Sequence, residues 1–206
     1  LVTVTVEILA DDLTGEKLIN TPASNVTGAD TIGWMATDGL FYSLMEANAV
    51  ITIKPVNDLP EIIALEAPES DTLKYEIGSE VPIKLTKIFD AIDLDGDDIV
   101  EAEIGFSAPL EYLSLHDQLI FTDTLGIKGN FSEELGILRL AGKASLQAYI
   151  SAIRSIRYNL VDADLIEDPS KLENSNRRLY IKLSDGTFGG TKERLVGLVY
   201  TFTDLD

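Results

Sequence analysis

Between Phe89 and Asp98 the chain reads Phe-Asp-Ala-Ile-Asp-Leu-Asp-Gly-Asp-Asp, with carboxylates at Asp90, Asp93, Asp95, Asp97 and Asp98. Calcium takes about six to eight hard oxygen ligands at about 2.3–2.6 Å, mostly carboxylate and carbonyl. Asp at every second position of an extended loop sends several carboxylates to one side. Gathering them without a cation raises their pKa values and sets like charges against each other. The run reads as a calcium-binding loop. A solvated Asp-rich turn that needs no metal is the other reading of the same residues. An EF-hand fits poorly. With Asp93, Asp95 and Asp97 at loop positions 1, 3 and 5, the sixth position holds Asp98 instead of Gly and the twelfth Ile104 instead of Glu.

Other chemistry has little to work with. There is no Cys, so no disulfide, thiolate metal site or Cys nucleophile is possible. His116 is the single histidine and precedes Asp117. A His–Asp pair can belong to a triad, but no Gly-x-Ser-x-Gly elbow accompanies it. A surface or edge histidine is the expectation, and zinc would want more His or Cys. Paired carboxylates could in principle hydrolyse a glycoside, yet the acids here fall in turns that already have a cation explanation. Trp34 is read as a core residue on its strand rather than as a sugar-stacking platform. No catalytic residue is expected, and calcium is the one cofactor expected.

The composition agrees with cation binding. Asp and Glu number 35 against 16 Lys and Arg in 206 residues, a formal charge of −19. Such a field repels nucleic acid and anionic membrane surfaces and draws cations. No apolar run approaches the roughly 20 residues that cross a bilayer, so no direct membrane insertion is expected. The chain opens inside an alternating pattern, Val2-Thr3-Val4-Thr5-Val6-Glu7-Ile8, without a signal-peptide pattern. That is expected of a fragment whose export signal lies elsewhere.

The elements that must position these residues are strands. Val2, Val4, Val6 and Ile8 alternate with polar residues, as do Ile32, Trp34 and Ala36, the period of a half-buried strand. Extended segments are predicted over 41–43, 50–56, 62–65, 81–85, 99–104, 119–121, 135–140, 156–160, 179–183 and 195–202. Many short strands with turns between them point to a β-sandwich. One segment differs. Leu146, Tyr149, Ile150 and Ile153 recur at helical spacing behind Ser145, a natural N-cap because its hydroxyl can accept a free first-turn N–H. A short helix is predicted over 145–153, plugging one side of the sandwich.

An internal repeat organises the chain. Ile32-Gly33-Trp34-Met35-Ala36-Thr37-Asp38-Gly39 parallels Leu179-Tyr180-Ile181-Lys182-Leu183-Ser184-Asp185-Gly186. About twenty residues after each Asp-Gly comes a strand with an acidic exit, at Val56-Asn57-Asp58 and at Phe202-Thr203-Asp204. Two modules, 1–58 and 59–206, are expected to finish with the same hairpin.

These features resemble the cadherin-like tandem repeats of large bacterial cell-surface adhesins, the gliding-motility adhesins among them. The first segment carries Thr21-Pro22-Ala23, Gly28-Ala29-Asp30-Thr31-Ile32, Asp38-Gly39 and Val56-Asn57-Asp58-Leu59-Pro60. The second carries Gly126-Ile127-Lys128-Gly129-Asn130-Phe131, then 136–142, then Leu146 to Tyr158, then Arg178 and Ser184-Asp185-Gly186, in the family's order and spacing. It departs at Thr203, which stands where the first copy has Asn57, and no Pro follows.

The resemblance implies an all-β fold of tandem cadherin-like or Ig-like sandwiches, extracellular placement at a cell surface, and calcium near the joints. It sets Asp93 and Asp95 against the exit pair Asn57 and Asp58, with Glu80 matching the acid of the family's first strand. Asp38 is read as closing the site from the first module. The implied function is non-enzymatic: a calcium-stabilised repeat that stiffens a multi-module stalk, with adjacent repeats of the same polypeptide as partners. A module that binds a surface polysaccharide or a cell-surface protein, or an accessory domain of a secreted hydrolase, is the alternative.

Overall fold

A computed structural model describes residues 8, 19–68, 70–79, 81–107, 112–114, 116–161 and 176–199. The chain is all-β, with thirteen strands and one helix named among these residues. It divides into two compact units between Asn57 and Asp58.

The described part of unit 1 is one antiparallel hairpin, β1 (Gly28–Trp34) with β2 (Ala47–Ile53). The register pairs Trp34 with Ala47, Ile32 with Ala49 and Asp30 with Ile51. Directly opposite residues share a face, so Ile32, Trp34, Ile51 and Ile53 lie together. The expectation that Trp34 belongs to a core is not met: it is 53 % exposed. Among the described residues of unit 1, no second layer covers the apolar face of this ribbon. The predicted segment 41–43 is not a strand. It contributes a single bridge, Thr37 to Tyr42.

Unit 2 is a β-sandwich. Its large sheet has the order β4 (Leu73–Glu76), β13 (Lys192–Val199), β12 (Asn176–Ser184), β7 (Ile99–Phe106), β10 (Ile137–Ala144) and β9 (Lys128–Ser132). The smaller sheet has the order β5 (Ile83–Lys84), β11 (Arg157–Leu160) and β8 (Asp117–Ile120). A two-stranded piece joins β3 (Glu61–Ala64) to β6 (Asp90–Ile92). Alternation decides what goes inside. Arg177, Leu179, Ile181 and Leu183 of β12 are buried, as are Ala102, Ile104 and Phe106 of β7, and Leu138 and Leu140 of β10. The register sets Ile181 beside Ile104 and Ile104 beside Leu138, one apolar row across three strands. Leu119, Tyr158 and Leu160 of the smaller sheet belong to the same core.

The helix α1 (Leu146–Ser155) begins where the sequence places it, and the Ser145 hydroxyl accepts the Ala148 N–H at 3.3 Å. It buries Tyr149, Ile150, Ala152 and Ile153 and packs against β6 and β7. The strands missed in the sequence, β4, β6 and β9, are short or carry charged and small residues such as Lys74, Asp90 and Gly129.

Two polar clusters are buried within this core. Asp117 on β8 accepts both contacts of the Arg177 Nε, at 2.9 and 2.7 Å, and the Tyr158 hydroxyl at 2.5 Å. This cluster ties the smaller sheet to the large one. Burial, with Asp117 beside it, holds the Tyr158 hydroxyl well above its ordinary pKa. Glu66 accepts the Thr86 hydroxyl at 2.6 Å and the Lys87 N–H at 2.7 Å. Burial alone would raise the Glu66 carboxyl, but these hydrogen bonds and the Arg194 charge outweigh it and hold the pKa below the ordinary value.

Candidate metal centre

Three loops of unit 2 carry the candidate site. The first is the leading segment 58–60. The second is the Asp-rich loop between β6 and β7. The third is the turn between β12 and β13.

Pairing of β3 with β6 brings the first two together, with Glu61 opposite Ile92. Just before this pair, the Asp58 N–H donates to the Asp95 carboxylate. Asp58 enters the site through its backbone. The Asp93 carboxylate turns back on its own loop: its Oδ1 accepts the Asp95 N–H at 3.1 Å and the Gly96 N–H at 3.2 Å. This is an Asx turn. Gly96 takes φ 71°, a left-handed conformation that glycine adopts without steric penalty.

The other oxygen, Asp93 Oδ2, is buried and has no hydrogen-bond partner among the described residues. A buried carboxylate oxygen without a donor is costly. Burial is the largest cause that holds the Asp93 pKa above the ordinary carboxylate value, against the two backbone hydrogen bonds that lower it. The negative charges of Asp185 and Asp95 push in the same upward direction.

Asp185 was not among the site residues read from the sequence. Its signal was there: it is the Asp of the repeated Asp-Gly, the counterpart of Asp38. The Asp185 Oδ1 accepts the Thr187 N–H at 3.0 Å, and the Gly189 N–H reaches the Leu183 carbonyl at 2.9 Å. Gly189 lies so close to the leading segment that a Cβ placed on it would overlap the Pro60 carbonyl oxygen. The third loop is therefore held against the first by backbone packing.

The remaining expected ligands lie outside the described residues of unit 2. Asp38 and Asn57 belong to unit 1. The Asp38 carboxylate accepts the Leu40 and Phe41 N–H groups, both at 2.9 Å, which hold its pKa below the ordinary value. Glu80 lies outside the described residues, as do Thr203 and Asp204 of the second exit.

The Asp run is not one cluster. Asp90 accepts the neighbouring Ala91 N–H at 3.0 Å, and Asp98 lies 3.9 Å from Lys143. Among the described residues, no group of three or more His, Asp or Glu side chains is gathered closely enough to hold a metal ion. The donor set fits calcium in its chemistry, with hard oxygens only and one buried orphan oxygen. It does not form a ready-made cage.

The His116–Asp117 pair is not arranged as part of a triad. The Asp117 carboxylate is engaged with Arg177 and Tyr158 in the core, and His116 Nδ1 lies 3.2 Å from the Val161 carbonyl oxygen.

No protein-family model matches the chain, and no curated protein does. Among solved structures, one similar chain comes from a type I cohesin–dockerin complex of Clostridium thermocellum. It shares 12 % identity and a TM-score of 0.35 over 72 % of this chain and 99 % of that one. Another is an endo-fucoidan hydrolase of glycoside hydrolase family 107, with 13 % identity and a TM-score of 0.22 over 90 % of this chain and 21 % of that one. Likenesses this weak carry no functional argument. No described helix is long and apolar enough to cross a membrane.

Proposed function

We propose that this chain is a non-enzymatic structural repeat of a cell-surface adhesin, and that calcium bound by Asp93, Asp95 and Asp185 rigidifies the start of unit 2. The observation that carries this reading is the buried Asp93 Oδ2, which lacks a donor while two further carboxylates act on it. A divalent cation supplies what that oxygen lacks and cancels the repulsion. The carboxylates are not yet gathered, so ion binding and closing of the loop are one event.

The consequence reaches the joint between modules. Asp95 holds the Asp58 backbone, and Gly189 packs on Pro60. An ion at Asp93 would fasten the first residues of unit 2 to two loops of its body. Adjacent repeats of the same polypeptide are then the natural partners, and a string of them becomes a stiff extracellular stalk.

Calcium should raise the melting temperature of the chain by mass action on the folded state, equivalent to about 2.7 kcal/mol at a hundredfold excess over Kd. Asp93→Asn and Asp185→Asn should each remove most of that shift, while Asp97→Asn should leave it. No shift at millimolar calcium would contradict the proposal. The pH dependence has a definite sign. The folded pKa of Asp93 lies above its unfolded value, so the ionised form opposes folding at neutral pH. Without calcium, protonating Asp93 as pH falls therefore adds stability. With calcium, the same proton competes with the ion, and the calcium-induced shift shrinks as pH falls.

A further inference from the structure

We infer that the parallel pair β4–β13, pinned by Arg194, is a mechanical clamp that bears the load when unit 2 is pulled between the leading side of β4 and the trailing side of β13.

Direction decides what a strand pair can bear. β4 and β13 run parallel, with Leu73 beside Val196, Lys74 beside Gly197, Tyr75 beside Leu198 and Glu76 beside Val199. The Ile77 N–H continues the ladder to the Val199 carbonyl at 2.9 Å. The chain enters this pair at Leu73 and leaves it at Val199, which lie at its opposite ends. A pull applied there runs along the strands and across their hydrogen bonds. The evenly spaced bonds of a parallel ladder are then strained together. An antiparallel pair such as β12–β13 has Asn176 beside Gly197, so a pull on those two ends opens it one bond at a time.

Side chains hold the register. Tyr75 and Val196 are each 0 % exposed, and sliding β4 along β13 would drag Tyr75 through the core. The Tyr75 hydroxyl lies 2.9 Å from both the Ser79 carbonyl oxygen and Asn159 Oδ1 on β11, which ties β4 to the smaller sheet. Arg194, also buried, reaches from β13 past the start of β4. Its Nη1 donates to the Asp71 carbonyl, and its Nε donates to the Leu85 carbonyl at 3.2 Å. The Asp71 N–H donates in turn to the Ala67 carbonyl at 2.9 Å, so Arg194 grips a closed turn. For β4 to slide, this grip must break together with the ladder. The pair contains none of Asp93, Asp95 and Asp185. A load in use rests on the stalk reading; the clamp itself does not.

The chain has no cysteine, so paired substitutions set where it is held. Asp71→Cys with Asp206→Cys loads β4 and β13 in shear. Glu76→Cys with Asp206→Cys pulls beside Val199 and opens the same pair from one end. Asp71 and Glu76 are both exposed. Forced unfolding is governed by the unfolding rate rather than by equilibrium stability, so one folded protein can give two forces. Single-molecule force spectroscopy of the intact chain should show a several-fold higher unfolding force in the first geometry. Arg194→Met should lower that force and leave the second near its parent value. The comparison of geometries needs no core substitution and holds if Arg194→Met fails to fold, which circular dichroism checks. The difference should persist in chelator, and a chain that binds no calcium but keeps it retains the clamp. Equal forces in the two geometries overturn the inference. So does a folded Arg194→Met that lowers both forces alike, or a difference that vanishes on chelation, which would move the resistance to the ion site.

Discussion

Arg177→Met is expected to lower the stability of unit 2 by about 3–5 kcal/mol, the cost of leaving one partner of a buried ion pair alone. Arg177 and Asp117 are each 1 % exposed, and Nε approaches both carboxylate oxygens. Methionine fills much of the volume but donates nothing. The Asp117 carboxylate would keep the Tyr158 hydroxyl and the Leu113 N–H at 2.8 Å, with no positive charge beside it. The pair also joins β8 to β12, so its loss acts on the packing of the two sheets together. Urea unfolding followed by far-ultraviolet circular dichroism measures the effect. Adding Asp117→Asn to Arg177→Met should recover part of the loss by removing the stranded charge. A single variant within 1 kcal/mol of the parent chain would show that the pair contributes little.

Gly189→Ala is expected to destabilise unit 2 by at least about 1–3 kcal/mol, the usual range for overpacking. The new Cβ would overlap the Pro60 carbonyl oxygen, which is backbone and cannot rotate away. Either the leading segment moves off the body of unit 2 or the turn after β12 does. Both movements pull apart loops that carry the proposed ion site, so the calcium-induced rise in melting temperature should fall as well. Gly190→Ala supplies the control, because a Cβ there meets nothing within 4 Å. Equal, small effects of the two substitutions would show that the contact between Gly189 and Pro60 is not a constraint.

The sandwich was legible because alternation is read directly from a strand buried on one face, as in β12 and β13, and because the helix carries both its N-cap and its apolar stripe. What local pattern could not supply was the partner of each face. Trp34 sits on a pattern as regular as that of Ile181, yet among the described residues only Ile181 has a sheet opposite it. The short strands β4 and β6 are fixed by their neighbours β13 and β3 rather than by their own residues. The acidic loop was legible as a loop, with Asp93 and Asp95 in its centre. Which carboxylates turn toward one another was not, because that depends on hydrogen bonds between segments distant in the chain. Asp98 is drawn toward Lys143, Asp95 to the Asp58 backbone, and Asp185 acts on Asp93 from the β12–β13 turn. The repeat marked Asp185 as the equivalent of Asp38, but only the fold of unit 2 shows which of the two lies near the Asp-rich loop within a single unit.

Calorimetric titration of calcium into the intact chain tests the central claim most directly. The account predicts a saturable heat that disappears with Asp93→Asn and with Asp185→Asn and persists with Asp97→Asn. No binding heat up to millimolar calcium at any temperature tried, or a heat unchanged by Asp93→Asn, would contradict it.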